Sequence, residues 1–181
     1  TYTGEAQTLE ITAEDVVSGF EPVTGESLTL SGAKITGTDV GTYKTLDGKY
    51  SWSVTKADGT TDSTGNYTIK VSGELEITKA ETEVTLTAES YSGVYDGGAH
   101  GITVSGEIDG DTLYYSLKGG EAADDWTSEA PSRTDVSGTP VTVYVKAENA
   151  NYETRYADAT ITITAKELEV YAEETKTYTG E

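Results

Sequence analysis

The side chain best suited to acid-base or metal chemistry in this sequence is a single imidazole, His100, in the Gly-rich stretch Tyr95-Asp96-Gly97-Gly98-Ala99-His100. An imidazole there could serve as a metal ligand or a pH switch. A transition-metal site needs further His or Cys ligands, however, and the chain has one His and no Cys. His100 therefore reads as a turn or strand-edge residue packed against a tyrosine. Carboxylates are abundant instead. Asp58-Gly59-Thr60-Thr61-Asp62, Asp109-Gly110-Asp111 and Asp124-Asp125 offer the oxygens that calcium takes, but none has a full calcium-loop pattern. Calcium is a secondary expectation beside plain solvated turns. Adjacent acids such as Glu14/Asp15 and Asp124/Asp125 are not a positioned acid and base. No enzymatic activity is expected, and no catalytic, cofactor-binding or metal residue is assigned.

Two further groups carry possible recognition chemistry. Tyr114, Tyr144 and Tyr156 alternate out of phase with their apolar neighbours, and Trp126 falls in a loop. The choice there is between a glycan- or host-protein-binding face and ordinary Tyr–Thr pairing on a wet sheet face, and the second is the expectation. Asn66-Tyr67-Thr68 is a glycosylation sequon by pattern. Charge narrows the partners: 12 Lys and Arg against 32 Asp and Glu give a net charge of −20, with the basic residues scattered. Nucleic acid and polybasic membrane contacts are excluded by that balance. No apolar run approaches a membrane span, so no membrane insertion is expected from this segment.

The elements that must position these groups are strands. Apolar residues make up 35% of the chain, thirteen Tyr and two Trp add bulk, and twenty Gly punctuate the periodic segments. Period-two alternation predicts strands at Tyr50/Trp52/Val54, Tyr67/Ile69/Val71, Leu75/Ile77, Val84/Leu86, Ile102/Val104, Val141/Val143/Val145, Ala159/Ile161/Ile163 and Leu168/Val170. Many short strands separated by Gly and Asp turns imply sandwiches. The helical candidate, Thr12 to Val17, is a single turn that Thr12 could cap.

An internal repeat organises the strands. Thr1-Tyr2-Thr3-Gly4-Glu5 recurs as Thr177-Tyr178-Thr179-Gly180-Glu181. That placement suggests one full period of an array plus the start of the next copy, and the missing Met suggests a fragment of something longer or a processed piece. Within the period, Thr38-Asp39-Val40 matches Thr134-Asp135-Val136, Asn66-Tyr67 matches Asn151-Tyr152, and Gly73–Lys79 matches Ala159–Lys166 in pattern. Two related modules follow, with a boundary near Lys79-Ala80. The first carries an insertion around Leu46 to Thr64, whose Asp47-Gly48 and Asp58-Gly59 signals predict extra hairpin length. No Pro- or Ser-rich linker separates the modules, so stiff joints are expected.

On these motifs the second module, with Tyr95-Asp96-Gly97, Tyr115-Ser116, Asn151-Tyr152 and a closing Ala159–Ala165 strand, resembles the Tyr-Asp-Gly type of tandem repeat in very large bacterial surface proteins. The first, with Val17-Ser18-Gly19, Asp39-Val40-Gly41-Thr42-Tyr43, Asn66-Tyr67-Thr68-Ile69 and Gly73–Thr78, resembles the sister MBG-type repeat. It departs at Thr3, where the pattern would have Asp. The resemblance implies an all-β chain of two tandem immunoglobulin-like β-sandwich modules, residues 1–80 and 81–165, followed by the start of a further copy at 166–181. It also implies a structural stalk or fibre segment of an adhesin-like protein at the cell surface or outside the cell. Such sandwiches sometimes carry Lys–Asn isopeptide cross-links, for which Asn66, Asn149 and Asn151 are the available partners here.

Two expectations rest on the residues alone. Asp39-x-Gly41-x-Tyr43 has the spacing of a tyrosine corner, in which a phenol hydrogen-bonds back to the upstream chain. The second module has Pro140 and Val141 in that stretch, so its corner is expected to close by packing alone. Register gives the other expectation. Thr82 to Ala88 forms the second module's own first strand, whereas the strand due ahead of Tyr2 is seen only at Glu167–Ala172. In an array the preceding copy would supply it. Residues 167–176 are expected to dangle or to dock head to tail on the first module of a neighbouring copy.

Overall fold

A computed structural model describes residues 1–119 and 124–180. The chain is all-β: the described residues form short strands and two 3-10 turns, with no α-helix among them. Among these residues no helix is long and apolar enough to cross a membrane. Two compact units result. Unit 1 is Thr1–Glu83 together with Asn149–Glu153; unit 2 is Val84–Glu148 and the chain from Thr154 onward.

Unit 1 contains β1 (Gln7–Ile11), β2 (Ser27–Ser31), β3 (Ala33–Gly37), β4 (Gly41–Tyr43), β5 (Ser51–Thr55) and β6 (Leu75–Ile77). They pair antiparallel as β1–β3, β2–β5 and β4–β6. Alternation sends Ala33, Ile35, Val54 and Ile77 inward, where each is almost wholly buried. Thr12 caps the 3-10 turn Ala13–Asp15: its N–H donates to Asp15 Oδ2 (2.7 Å) and its Oγ1 accepts from Glu14 N (3.3 Å). Asp58-Gly59 reverses the chain after β5, with Thr55 bridging to Asp62 and Gly59 at φ +71°. Asp47-Gly48 makes no hairpin; Asp47 N–H instead donates to Lys34 O (2.8 Å) in the β4–β5 connection. The stretch Tyr67–Val71 is not a strand either. Its lead residue is tied by its side chain: the Tyr67 phenol donates to Glu26 and accepts from Val23 N (3.0 Å).

Unit 2 contains β7 (Thr87–Glu89), β8 (Tyr91–Val94), β9 (His100–Gly101), β10 (Thr103–Ser105), β11 (Thr112–Ser116), β12 (Ser132–Arg133), β13 (Val141–Glu148) and β14 (Arg155–Thr164). One sheet runs β11-β13-β14-β8, parallel only between β14 and β8; β7–β10 and β9–β12 are antiparallel pairs. Val143, Val145, Ala147 and Ile161 of the large sheet pack with Leu86 and with Ala88, Ile102 and Val104 around the β7–β10 pair. The core thus lies between two layers. The expected strand from Thr82 forms only from Thr87, yet Leu86 just ahead of it is 4% exposed. This entry segment serves both layers, pairing first with β10 and then, as β8, with β14.

The tail behaves differently. Residues 165–180 form no strand, and Leu168 (83%), Val170 (93%) and Tyr178 (88%) are exposed. The strand expected at Leu168/Val170 is absent because a lone extended segment gains neither ladder hydrogen bonds nor apolar burial. The glycine of the recurring Tyr-x-Gly sequence has the same backbone sense each time. Gly4 (φ +81°), Gly97 (φ +84°) and Gly180 (φ +77°) all sit in the left-handed region that favours glycine. The last residue of the C-terminal pentapeptide, Glu181, lies outside the described residues.

Candidate functional site

The repeated motifs converge on one corner in each unit. In unit 1, Tyr2 N–H donates to Thr78 O at the end of β6 (2.8 Å). The Tyr43 phenol donates to Asp39 O (2.9 Å), as the spacing predicts. Its ring lies on the backbone of Gly37, where an added Cβ would overlap it.

The turn Asn149–Glu153 completes this corner. Asn151 Oδ1 accepts from Val40 N (2.9 Å) and its Nδ2 donates to Asp39 Oδ1 (3.1 Å), using both ends of the carboxamide. Ala80 N donates to Asn151 O (3.0 Å) and Glu153 N to Ala80 O (2.9 Å). Lys79 Nζ donates to Asn149 O (2.7 Å), and the Tyr2 and Tyr152 rings meet edge to face at 5.4 Å. The lysine thus addresses a main-chain oxygen, whereas an isopeptide requires the carboxamide carbon. The Asn149 Oδ1 accepts from Asn151 N (2.9 Å).

Unit 2 builds the same frame. Tyr95 N–H donates to Thr164 O at the end of β14, again 2.8 Å. Its corner is not closed by packing alone. The Thr139 hydroxyl donates to Val136 O (2.9 Å), with Ile163 O at 3.1 Å, and accepts from Ile163 N (3.3 Å). A shorter side chain on a longer turn thereby replaces the phenol. Beside it lies an open groove of about 370 Å³ lined by Tyr95, Asp135, Val136, Ala165, Lys166 and Leu168.

His100 stacks on Tyr91 with ring centroids 4.1 Å apart, and its Nε2 lies 2.9 Å from Asp96 Oδ1. The imidazole and the Gly98 N–H hold the Asp96 carboxyl below the usual carboxylate range. The acidic turns spend their oxygens locally. Asp58 accepts from the Thr61 hydroxyl and from the N–H groups of Thr61 and Thr60, which lowers its pKa to about 2. The Thr64 hydroxyl and N–H lower Asp62, and the Ser116 hydroxyl lowers Asp125. Asp111 pairs with Arg155, the side chains being 2% and 11% exposed, and accepts from Ile108 N (2.9 Å). Arg155 also donates to Gly106 O (2.6 Å) and Val84 O (3.1 Å). This buried pair was invisible in the sequence, where Asp111 is one acid among many. Among the described residues no three His, Asp or Glu side chains converge as a metal site would require.

The aromatics do come together. Tyr114 lies opposite Lys146 and Lys146 opposite Tyr156, forming one row across β11, β13 and β14. Lys146 Nζ stands 5.0 Å from the Tyr114 ring centre and 4.9 Å from that of Trp126, and pairs with Glu148 (2.7 Å). Tyr144 belongs to the next row, between Ser116 and Asp158. The ammonium therefore fills the centre of the aromatic face.

Comparison with protein-family models, curated proteins and solved structures found no match.

Proposed function

We propose that this chain is a non-enzymatic structural segment: two immunoglobulin-like β-sandwich modules of a tandem-repeat stalk or fibre, in an adhesin-like protein at the cell surface or outside the cell. The carrying observation is the duplicated frame. Tyr2 to Thr78 and Tyr95 to Thr164 are the same hydrogen bond at the same length, each followed two residues on by a left-handed glycine, and a Thr-Asp-Val motif recurs in both units. Supporting it, the side chains that could do chemistry are spent on turns, caps and a buried ion pair. High negative charge keeps such arrays soluble and mutually repelling.

A second reading has its own observation. The Tyr114–Lys146–Tyr156 row with Trp126 suits stacking on a glycan or docking on a host protein. A glycan array separates the two. The stalk reading predicts no specific binding; micromolar binding lost in Trp126→Ala or Tyr114→Ala overturns it.

A further inference from the structure

The groove of unit 2 and the filled corner of unit 1 are the same place in two copies of one frame. Aligning Thr164 with Thr78 puts Ala165 on Lys79 and Lys166 on Ala80; the shared turn puts Tyr95 on Tyr2, and the Thr-Asp-Val motif puts Asp135 and Val136 on Asp39 and Val40. In unit 1 all five positions touch the turn Asn149–Glu153. Asp39 and Val40 hold the Asn151 carboxamide, Ala80 brackets its main chain, Lys79 reaches Asn149 O and Tyr2 meets Tyr152. In unit 2 the five counterparts line an open groove with Leu168, and Tyr95 and Val136 are 39% and 40% exposed. Tyr2 and Val40 are half-buried and Ala80 buried.

We propose that this groove is the docking site for a second copy of the chain, and that its occupant is the turn around Asn66-Tyr67. That dipeptide is the counterpart of Asn151-Tyr152, and Asn66 is exposed. The Asn66 carboxamide donates to Asp135 and accepts from Val136 N–H, Lys166 N–H donates to Asn66 O, and the Tyr67 ring packs on Tyr95. A carboxamide suits the site because one end must donate to a carboxylate while the other accepts from an amide; an aspartate there would repel Asp135. The inference rests on the repeat reading above and supplies its partner: unit 2 of one copy receives unit 1 of the next. In an array the covalent tether supplies a roughly millimolar effective concentration, so a small contact is sufficient.

The test uses the 181-residue chain in solution at high salt, where the −20 charge of each copy is screened. Chain carrying Asn66→Ala is labelled with nitrogen-15, which leaves its groove intact, and is titrated with unlabelled wild type while amide shifts are followed. Shifts are expected at Tyr95, Val136 and Lys166 with a dissociation constant of roughly millimolar. They should weaken by about tenfold when the labelled chain also carries Asp135→Ala or when the titrant carries Asn66→Ala. The amide spectrum of each variant reports that it is folded. Absence of groove shifts at millimolar titrant, or shifts of equal size from the Asn66→Ala titrant, overturns the proposal. Glycan binding plays no part in these measurements, so their failure is distinct from failure of the stalk reading.

Discussion

The two corners of this chain share a frame and differ in how they are finished. Unit 1 closes with the Tyr43 phenol on Asp39 O and is covered by the Asn149–Glu153 turn. Unit 2 closes with the Thr139 hydroxyl on Val136 O and leaves its groove open. Entry to the frame differs as well: in unit 2 the chain ahead of Tyr95 buries Leu86 and pairs with both layers. The residues of matching pattern at Leu168–Ala172 are exposed. The same backbone hydrogen bond is thus kept while the side chains that seal each corner differ.

The comparison breaks most sharply at the ion pair, which ties Val84, Gly106 and Asp111 to β14. Arg155→Ala removes the counter-ion of a buried carboxylate, and the expected loss is about 3–5 kcal/mol in unit 2. Amide exchange should speed up at Val143 and Val145 and stay unchanged at Ile35 and Val54; equal acceleration in both units would mean that they do not unfold separately. The closures themselves come next. Thr139→Val removes a donor to Val136 O and the acceptor for Ile163 N, and should cost about 1–3 kcal/mol, whereas Tyr43→Phe removes a single bond and should cost about 0.5–1.5 kcal/mol. Denaturant melts read by exchange at Ile163 and Ile77 compare them.

The smallest effect concerns the Asp58–Asp62 turn of unit 1. Asp58, at about 2, titrates below its ordinary 3.8 because the Thr61 hydroxyl, then the Thr61 and Thr60 amides, stabilise the carboxylate. A folded-state pKa below the unfolded one contributes stability above the unfolded value, and that contribution is lost as pH falls toward 2. In Thr61→Ala the Asp58 carboxyl, followed by carbon-13 NMR, should titrate closer to 3.8 and the turn should become less sensitive to acid.

What could be read from sequence follows from which forces are local. The all-β class, the Thr12 cap and the Tyr43 corner were legible because alternation, capping and fixed spacing act within a few residues. The strands β2 and β3 are hidden in the sequence by Ser, Thr and Lys neighbours, although Leu28, Leu30, Ala33 and Ile35 alternate correctly. Tyr67–Val71 alternates equally well and is no strand, since its backbone joins no ladder among the described residues. Thr139 as a corner clasp and Asp111 as a buried counter-ion depend on partners distant in the chain, Ile163 and Arg155. Composition carries no trace of either.

In the repeat proposed above, the two units are versions of one module. Ala88 lies opposite Val104 in unit 2, so a copy of Lys166–Lys176 placed ahead of Thr1 should bring its Ala172 opposite Ile11 and its Val170 to the place of Leu86. Burying Val170 in that way is worth roughly 1.5–3 kcal/mol. The direct measurement is hydrogen exchange on a chain carrying an added copy of Lys166–Lys176 before Thr1. Exchange at Leu9–Ile11 and Leu75–Ile77 should slow by at least about tenfold, with unit 2 unchanged. Unaltered exchange in β1 and β6 would contradict the shared module and the repeat built on it.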